Sequence, residues 1–312
     1  MGPSALRVAV LSLGLALALA LGSCGGSDEP DALPADVATT PDTQPIRIGT
    51  KNFTEQRILG ELYRQALEAK GYAVELKSDI GSSEIVHRVL RRGALDMYPE
   101  YIGVLLSEVA QRTERPPSDA AAYDAAQAFE RSNGFTLLEQ TPFADQNALA
   151  VKPQFARRHN LRTIADLRKL KGTVKIAALA EFATRFEGVD GLEKLYELRG
   201  LDIVEVAGSE RYTLLDGGDV DVASVFTSEG QLAGDDYRVL EDPERLFASG
   251  HVAPVVNDKV LEAHGDGLRD TVDAVSRKLT TNAMRKMNGD VDLRKRKPAA
   301  VADEFLRASG LK

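Results

Sequence analysis

The stretch LDMYPEYIGV, residues 95–104, sets Tyr98 and Tyr101 around Pro99 and Glu100 in a chain with no Trp, eight Tyr and ten Phe. An aromatic face attracts a cation through its ring quadrupole, worth about 0.5 to 2 kcal/mol, so tyrosines beside a carboxylate can hold one. Tyr98 is expected to pack in the core or a lobe wall, whereas Glu100 either pairs with a backbone group or meets a ligand cation. His87, His159, His251 and His264 lack the spacing of a metal site, and no HExxH or phosphate-loop motif occurs. No metal or cofactor is therefore expected. The run RKRK at 294–297 reads as a solvated charge cluster. The net charge of −8 argues against nucleic acid or anionic lipid as partner.

These residues need elements to position them. IRIGT reads as a strand, KNFT as a loop and EQRILGELYRQALEAKG as a helix with Ile58, Leu59, Leu62, Tyr63, Ala66 and Leu67 on one face and Gly71 as its stop. Asn52 with Glu55 reads as a capping pair. The pattern repeats as strand YAVELKSDI, cap Ser82 or Ser83, helix EIVHRVLRR, stop Gly93 and strand ALDMY. From residue 146 it restarts, with strands in NALAVK, VKIAALA, DIVEV and DVDVASVF alternating with shorter helices. Strands alternating with helices predict an α/β fold in two lobes. Leu268, Val272, Val275 and Leu279 predict a tail helix with one buried face, expected to return to the first lobe.

The two halves echo each other. Leu90, Gly93, Asp96 and Tyr101 recur at one constant offset as Leu215, Gly218, Asp221 and Phe226. Gly and Asp are common at any helix-to-strand turn, but an aromatic at the same place beyond each strand is not required by turn chemistry. In open α/β sheets ligands bind beyond the carboxyl ends of strands, so Tyr101 and Phe226 are candidates to face one cleft.

The first 23 residues carry one charge, Arg7, and an apolar run too short to span a bilayer, as in a signal sequence. The run ends in LGSC, which resembles a bacterial lipoprotein box and implies cleavage before Cys24 and lipidation of its thiol. A catalytic nucleophile or an unpaired thiol are the rival readings of this lone cysteine. Residues 24–45 are rich in Pro, Asp, Ala and Thr and read as a disordered tether.

The segments IRIGTKNFTEQRILGELYRQALEAKG, LRRGALDMYPEYIG, TPFADQNALAV, EFATRFEGVDGLEKLY, DGGDVDVASVFTSEGQ and VLEDPERLFASGHVAPVV, with the closing MNGDVDLRKRKPAAVADEFLRASGL, are similar to the substrate-binding proteins of osmoprotectant ABC importers, which take up glycine betaine, choline and carnitine. The resemblance implies a two-lobed type II periplasmic-binding-protein fold with a ligand cleft between lobes 46–145 plus 252–312 and 146–251. It implies an extracytoplasmic, lipid-anchored monomer that closes on its solute and delivers it to an ABC permease with ATPase subunits. Such proteins hold a quaternary ammonium in an aromatic cage and grip a carboxylate with basic groups. By position, Lys51 and Arg185 match the carboxylate-binding cations, and Tyr101 and Phe226 match cage tyrosines.

Departures from the family pattern fall at the same site. Asn147 stands where relatives carry Tyr, Val104 where they carry Thr, and Gly250 or His251 where they carry an aromatic. A cage opened by Asn147 and His251 would suit a larger, more polar ligand that keeps a carboxylate, such as an amino-acid-derived betaine. An enzyme or a sensor on the same fold is the remaining alternative. The cleft candidates are cations, aromatics and amides, which bind but lack a nucleophile and base.

Overall fold

The computed structural model describes residues 44–206 and 208–312, so the expected leader, Cys24 and the expected tether up to residue 43 lie outside the described residues. Ten strands are present among the described residues: β1 Ile46–Gly49, β2 Val74–Lys77, β3 Met97–Tyr101, β4 Phe135–Leu137, β5 Asn147–Val151, β6 Val174–Ala178, β7 Leu201–Glu205, β8 Val222–Phe226, β9 Arg238–Val239 and β10 Val252–Asn257. They form two sheets, β2-β1-β3-β10-β4 and β7-β6-β8-β5-β9. Each sheet has three parallel strands followed by an antiparallel one, β10 beside β3 and β5 beside β8. The second sheet thus repeats the plan of the first, with the chain's return strand in the equivalent place.

Strand residues alternate between faces, so each sheet builds two cores. Ile48, Met97, Tyr101, Val252 and Val256 meet the helix Thr54–Ala69 and the tail helices, whereas Tyr98, Ala253 and Val255 meet the helices Ser83–Arg91 and Asp119–Ser132. Leu268, Val272, Val275 and Leu279 lie in the first of these cores, the place that their spacing predicts. Leu149, Ile176 and Val222 face one core of the second sheet, and Ala148, Ala177 and Val225 the other.

The sequence echo has a structural cause. The Asp96 carboxylate accepts the Arg47 N–H at 2.8 Å while the Asp96 N–H donates to Arg47 O, also at 2.8 Å. Asp221 does the same with Lys175, at 3.0 Å in both directions. Each aspartate therefore clasps its strand to the neighbouring parallel one just after a left-handed glycine, Gly93 at φ +71 or Gly218 at φ +77. Asp96 also takes a fork from the Arg47 guanidinium at 2.6 and 2.9 Å. Asp96→Ala is expected to lower stability by about 2 kcal/mol and Asp221→Ala by about 1, read as shifts in denaturation midpoint at constant slope. Equal losses would show that the Arg47 fork adds nothing.

One expected feature is corrected. The first helix starts at Thr54 with Phe53 at its N-cap, in extended conformation and without a side-chain cap. The helix begins one residue later than the Asn52–Glu55 capping pair requires, and Glu55 is buried instead of lying at the surface as a cap.

Close backbone contacts join the bodies built on the two sheets, two of them through the glycines described next. The crossovers run side by side, with the Asp145 N–H donating to Gly250 O at 2.9 Å and a bridge between Ala144 and His251. A Cβ at Gly250 would lie 2.1 Å from Asp145 O, so only glycine allows this approach. The second contact sets Gly230, on the turn Gly230–Ala233, against Gly289 of the helix Thr281–Asp292; a Cβ at Gly230 would lie 2.4 Å from Gly289 Cα.

Candidate functional site

Lys51 follows β1 and is buried against β3. Its ammonium lies 2.5 Å from Glu100 Oε1 and donates to Ser83 Oγ at 3.0 Å, and the side chains of the pair are 5% and 0% exposed. Glu100 Oε1 also accepts the Tyr101 N–H at 2.7 Å. Adjacency of β1 and β3 brings the two charges together, and burial forces them to pair. Glu100 thus takes a backbone donor, one of the expected outcomes, and a lysine besides.

Tyr101 ends β3, and its ring centroid is 4.2 Å from the Lys51 ammonium. Its hydroxyl donates to Glu55 Oε1 at 2.7 Å. Burial and the neighbouring carboxyls hold the Tyr101 phenol well above its ordinary pKa, so it remains a donor. Phe53 stacks beside it at 6.1 Å with 28° between the planes and is 39% exposed. Tyr98 is wholly buried in the core, with its hydroxyl 3.2 Å from His87 Nδ1. Val104 packs against the first-sheet core.

On the second sheet, Phe226 ends β8 as Tyr101 ends β3. Its register partner is Asn147, and the register partner of Tyr101 is Val252, so each aromatic stands beside the first residue of a return strand. The Asn147 amide donates to Glu187 Oε2 at 3.1 Å, and Glu187 Oε1 accepts the Ala248 N–H at 2.9 Å. Glu187 lies in the π-turn Phe186–Asp190, where a Cβ at Gly188 would be 1.8 Å from Phe182 O. Arg185 is exposed at the start of that turn and does not share the contacts that join Lys51, Glu100 and Tyr101. His251 lies on the second crossover with Nδ1–H donating to Thr141 O and Phe143 O at 2.9 and 3.0 Å, and Nε2 stands 3.9 Å from Asp119.

Residues not singled out in the sequence complete the region. Glu55 accepts Asn288 Nδ2 at 2.8 Å in addition to the Tyr101 hydroxyl, and Asn288 Nδ2 also donates to Ser228 O at 2.9 Å. Ser228 lies against the carboxyls of both Glu55 and Asp145, two residues beyond Phe226. Burial raises both carboxyls above the usual carboxylate range. Phe53 had a visible signal, since it is the aromatic inside KNFTEQ. Glu55 had none beyond a misleading capping pattern.

Comparison with known proteins follows from this geometry. Residues 44–308 match the family described as the substrate binding domain of ABC-type glycine betaine transport systems. A glycine-betaine-binding protein of Pseudomonas aeruginosa is 30% identical over 273 residues, 84% of this chain and 87% of its own. The carnitine transport binding protein OpuCC of Listeria monocytogenes is 26% identical over 280 residues, 88% and 90% of the two chains. A crystal structure described as a glycine betaine/carnitine/choline ABC transporter shares the fold with a TM-score of 0.79 at 24% identity, over 85% of this chain and 99% of its own.

Proposed function

The chain belongs to the family of substrate-binding domains of ABC-type glycine betaine transporters, and from that premise we propose that it captures a quaternary ammonium solute between Tyr101 and Phe226. The fold is that of a type II periplasmic binding protein, and the protein is the extracytoplasmic substrate-binding component of an ABC importer. The observation that carries the ligand reading is the equivalent placement of Tyr101 and Phe226 at the ends of β3 and β8, each beside a return strand. A trimethylammonium head cannot donate hydrogen bonds, so aromatic faces are its natural partners.

In this reading the lobes 46–145 plus 252–312 and 146–251 close on the solute by hinge motion. Phe53 extends the aromatic wall of Tyr101. Arg185, exposed on the second lobe, meets a carboxylate where the ligand has one, while Lys51 orders the first lobe through Glu100. Asn147 and His251 border the polar side. The protein acts as a monomer tethered by a lipid on Cys24 and presents its closed form to a permease coupled to ATPase subunits.

Thermal denaturation with a panel of quaternary ammonium solutes tests the reading. A true ligand at 100-fold excess over Kd is expected to add about 2.7 kcal/mol, and no stabilisation by any of them would remove it. Arg185→Ala is expected to weaken a carboxylate-bearing ligand about 10-fold or more, the loss of one charge-assisted contact, with the melting temperature of the free protein unchanged. Unaltered affinity by calorimetry would take Arg185 out of the site.

A further inference from the structure

The buried charges around this site do not balance. Lys51 is matched by Glu100 at 2.5 Å, and Arg211, whose guanidinium lies 5.8 Å from the Phe226 ring, is matched by Glu229 at 2.6 Å. Glu55 and Asp145 are left over. Around Glu55 stand Tyr101 from β3, Lys51 from the loop after β1, Asn288 from the helix Thr281–Asp292, Ser228 from beyond β8 and Asp145 from the crossover. Asp145 also faces the charge of Glu229. Arg285 of the same tail helix donates to Thr227 O at 2.7 Å and not to either carboxyl.

The hydrogen-bonding supply is short in the same direction. Asp145 Oδ1, Glu100 Oε2 and Asn288 Oδ1 are buried acceptors with no donor. The Asn288 orientation is fixed, because its Nδ2 lies between two acceptors, Glu55 Oε2 and Ser228 O. Buried acceptors in excess of donors create negative potential, and a neighbouring cation relieves it.

We propose that the interlobe site selects for net positive charge, so that a quaternary ammonium without a carboxylate binds more tightly than a zwitterionic betaine and drives a proton off the Glu55–Asp145 pair. The inference rests on the quaternary ammonium reading above and supplies the charge class of its ligand. The Lys51 charge is cancelled inside the protein, so it adds little attraction for a ligand carboxylate. The cation instead enters beside Tyr101, whose hydroxyl touches Glu55. Burial raises both carboxyls above the usual carboxylate range, the arriving cation favours the ionised form, and the displaced proton passes to solvent.

Isothermal titration of the full chain with choline and with glycine betaine, from pH 6 to 8.5 and in two buffers of different ionisation enthalpy, tests it. Choline is expected to bind about 10-fold or more tightly than glycine betaine, with a Kd that falls by up to about 10-fold per pH unit where the pair titrates. Its enthalpy should depend on the buffer, the sign of a released proton. Asp145→Asn should abolish that dependence, and the wild-type measurement stands without it if the variant does not fold. Glycine betaine binding as tightly as choline, with buffer-independent enthalpies, overturns the charge selection alone. Binding of neither solute overturns the quaternary ammonium reading, and the selection with it.

Discussion

Lys51→Met is expected to cost about 3–5 kcal/mol of folding stability, and the Lys51→Met/Glu100→Gln double variant to recover most of it. Removing one member of a buried pair strands the other charge, whereas replacing both by neutral groups of similar size is often tolerated. Here Glu100 would keep the Tyr101 N–H at 2.7 Å but lose its cationic partner. The single-variant loss has a definite pH sign. A buried carboxylate without its cationic partner costs most where it is ionised, so the loss grows with pH. Denaturant titrations at pH 5 and pH 8 should therefore show the greater loss at pH 8. A double variant as weak as the single one would show that the two charges are not energetically coupled.

Glu130 and His87 are expected to give the protein a second pH dependence. Both are buried, with His87 Nδ1 3.7 Å from Glu130 Oε1, and neither Glu130 oxygen nor His87 Nε2 has a hydrogen-bond partner. The distance would suit an ion pair, but burial dominates both groups. It raises Glu130 from 4.5 to about 8, with the charge of Glu100 adding to the effect, and lowers His87 from 6.5 to about 4, helped by Arg91. At neutral pH the pair is uncharged. The raised carboxyl loses stability as pH climbs from 4.5 to 8, while the depressed imidazole loses it as pH falls from 6.5 to 4. The two slopes cancel between 4.5 and 6.5, and above 6.5 only that of Glu130 remains. Stability should fall by about 1.4 kcal/mol per pH unit there, roughly 2 kcal/mol by pH 8. Glu130→Gln should flatten that limb in urea titrations, and an unchanged slope would assign it to other groups.

The readable parts of the sequence are those where one rule acts alone. The tail helix Asp266–Lys278 shows because three large apolar residues, Leu268, Val272 and Val275, mark its buried face, with Leu279 at its C-cap. The two lobes show because Gly93 with Asp96 and Gly218 with Asp221 do the same work, a left-handed turn and a strand clasp. The helix Asp119–Ser132 is harder to read because its fully buried positions are Ala122, Ala126 and Glu130, which carry no apolar stripe. At the candidate site, the equivalent strand-end placement of Tyr101 and Phe226 is legible from their matching positions. The Lys51–Glu100 pair is not, since its members lie 49 residues apart and meet only because β3 lies beside β1. Glu55 misleads, because a capping pattern displaced by one residue from the true helix start assigns a buried carboxyl to the surface.

The glycine contact between Gly230 and Gly289 bears on how freedom of movement is distributed. In the closure proposed above, a lobe held at one point could tilt, roll and slide, whereas one held at two separated points would keep a single swing about the line between them. The Gly250 approach to Asp145 supplies one point and the Gly230–Gly289 contact the other. A methyl group at Gly250 or Gly230 would act as a wedge, so the directional stiffness of the molecule depends in part on side chains that are missing.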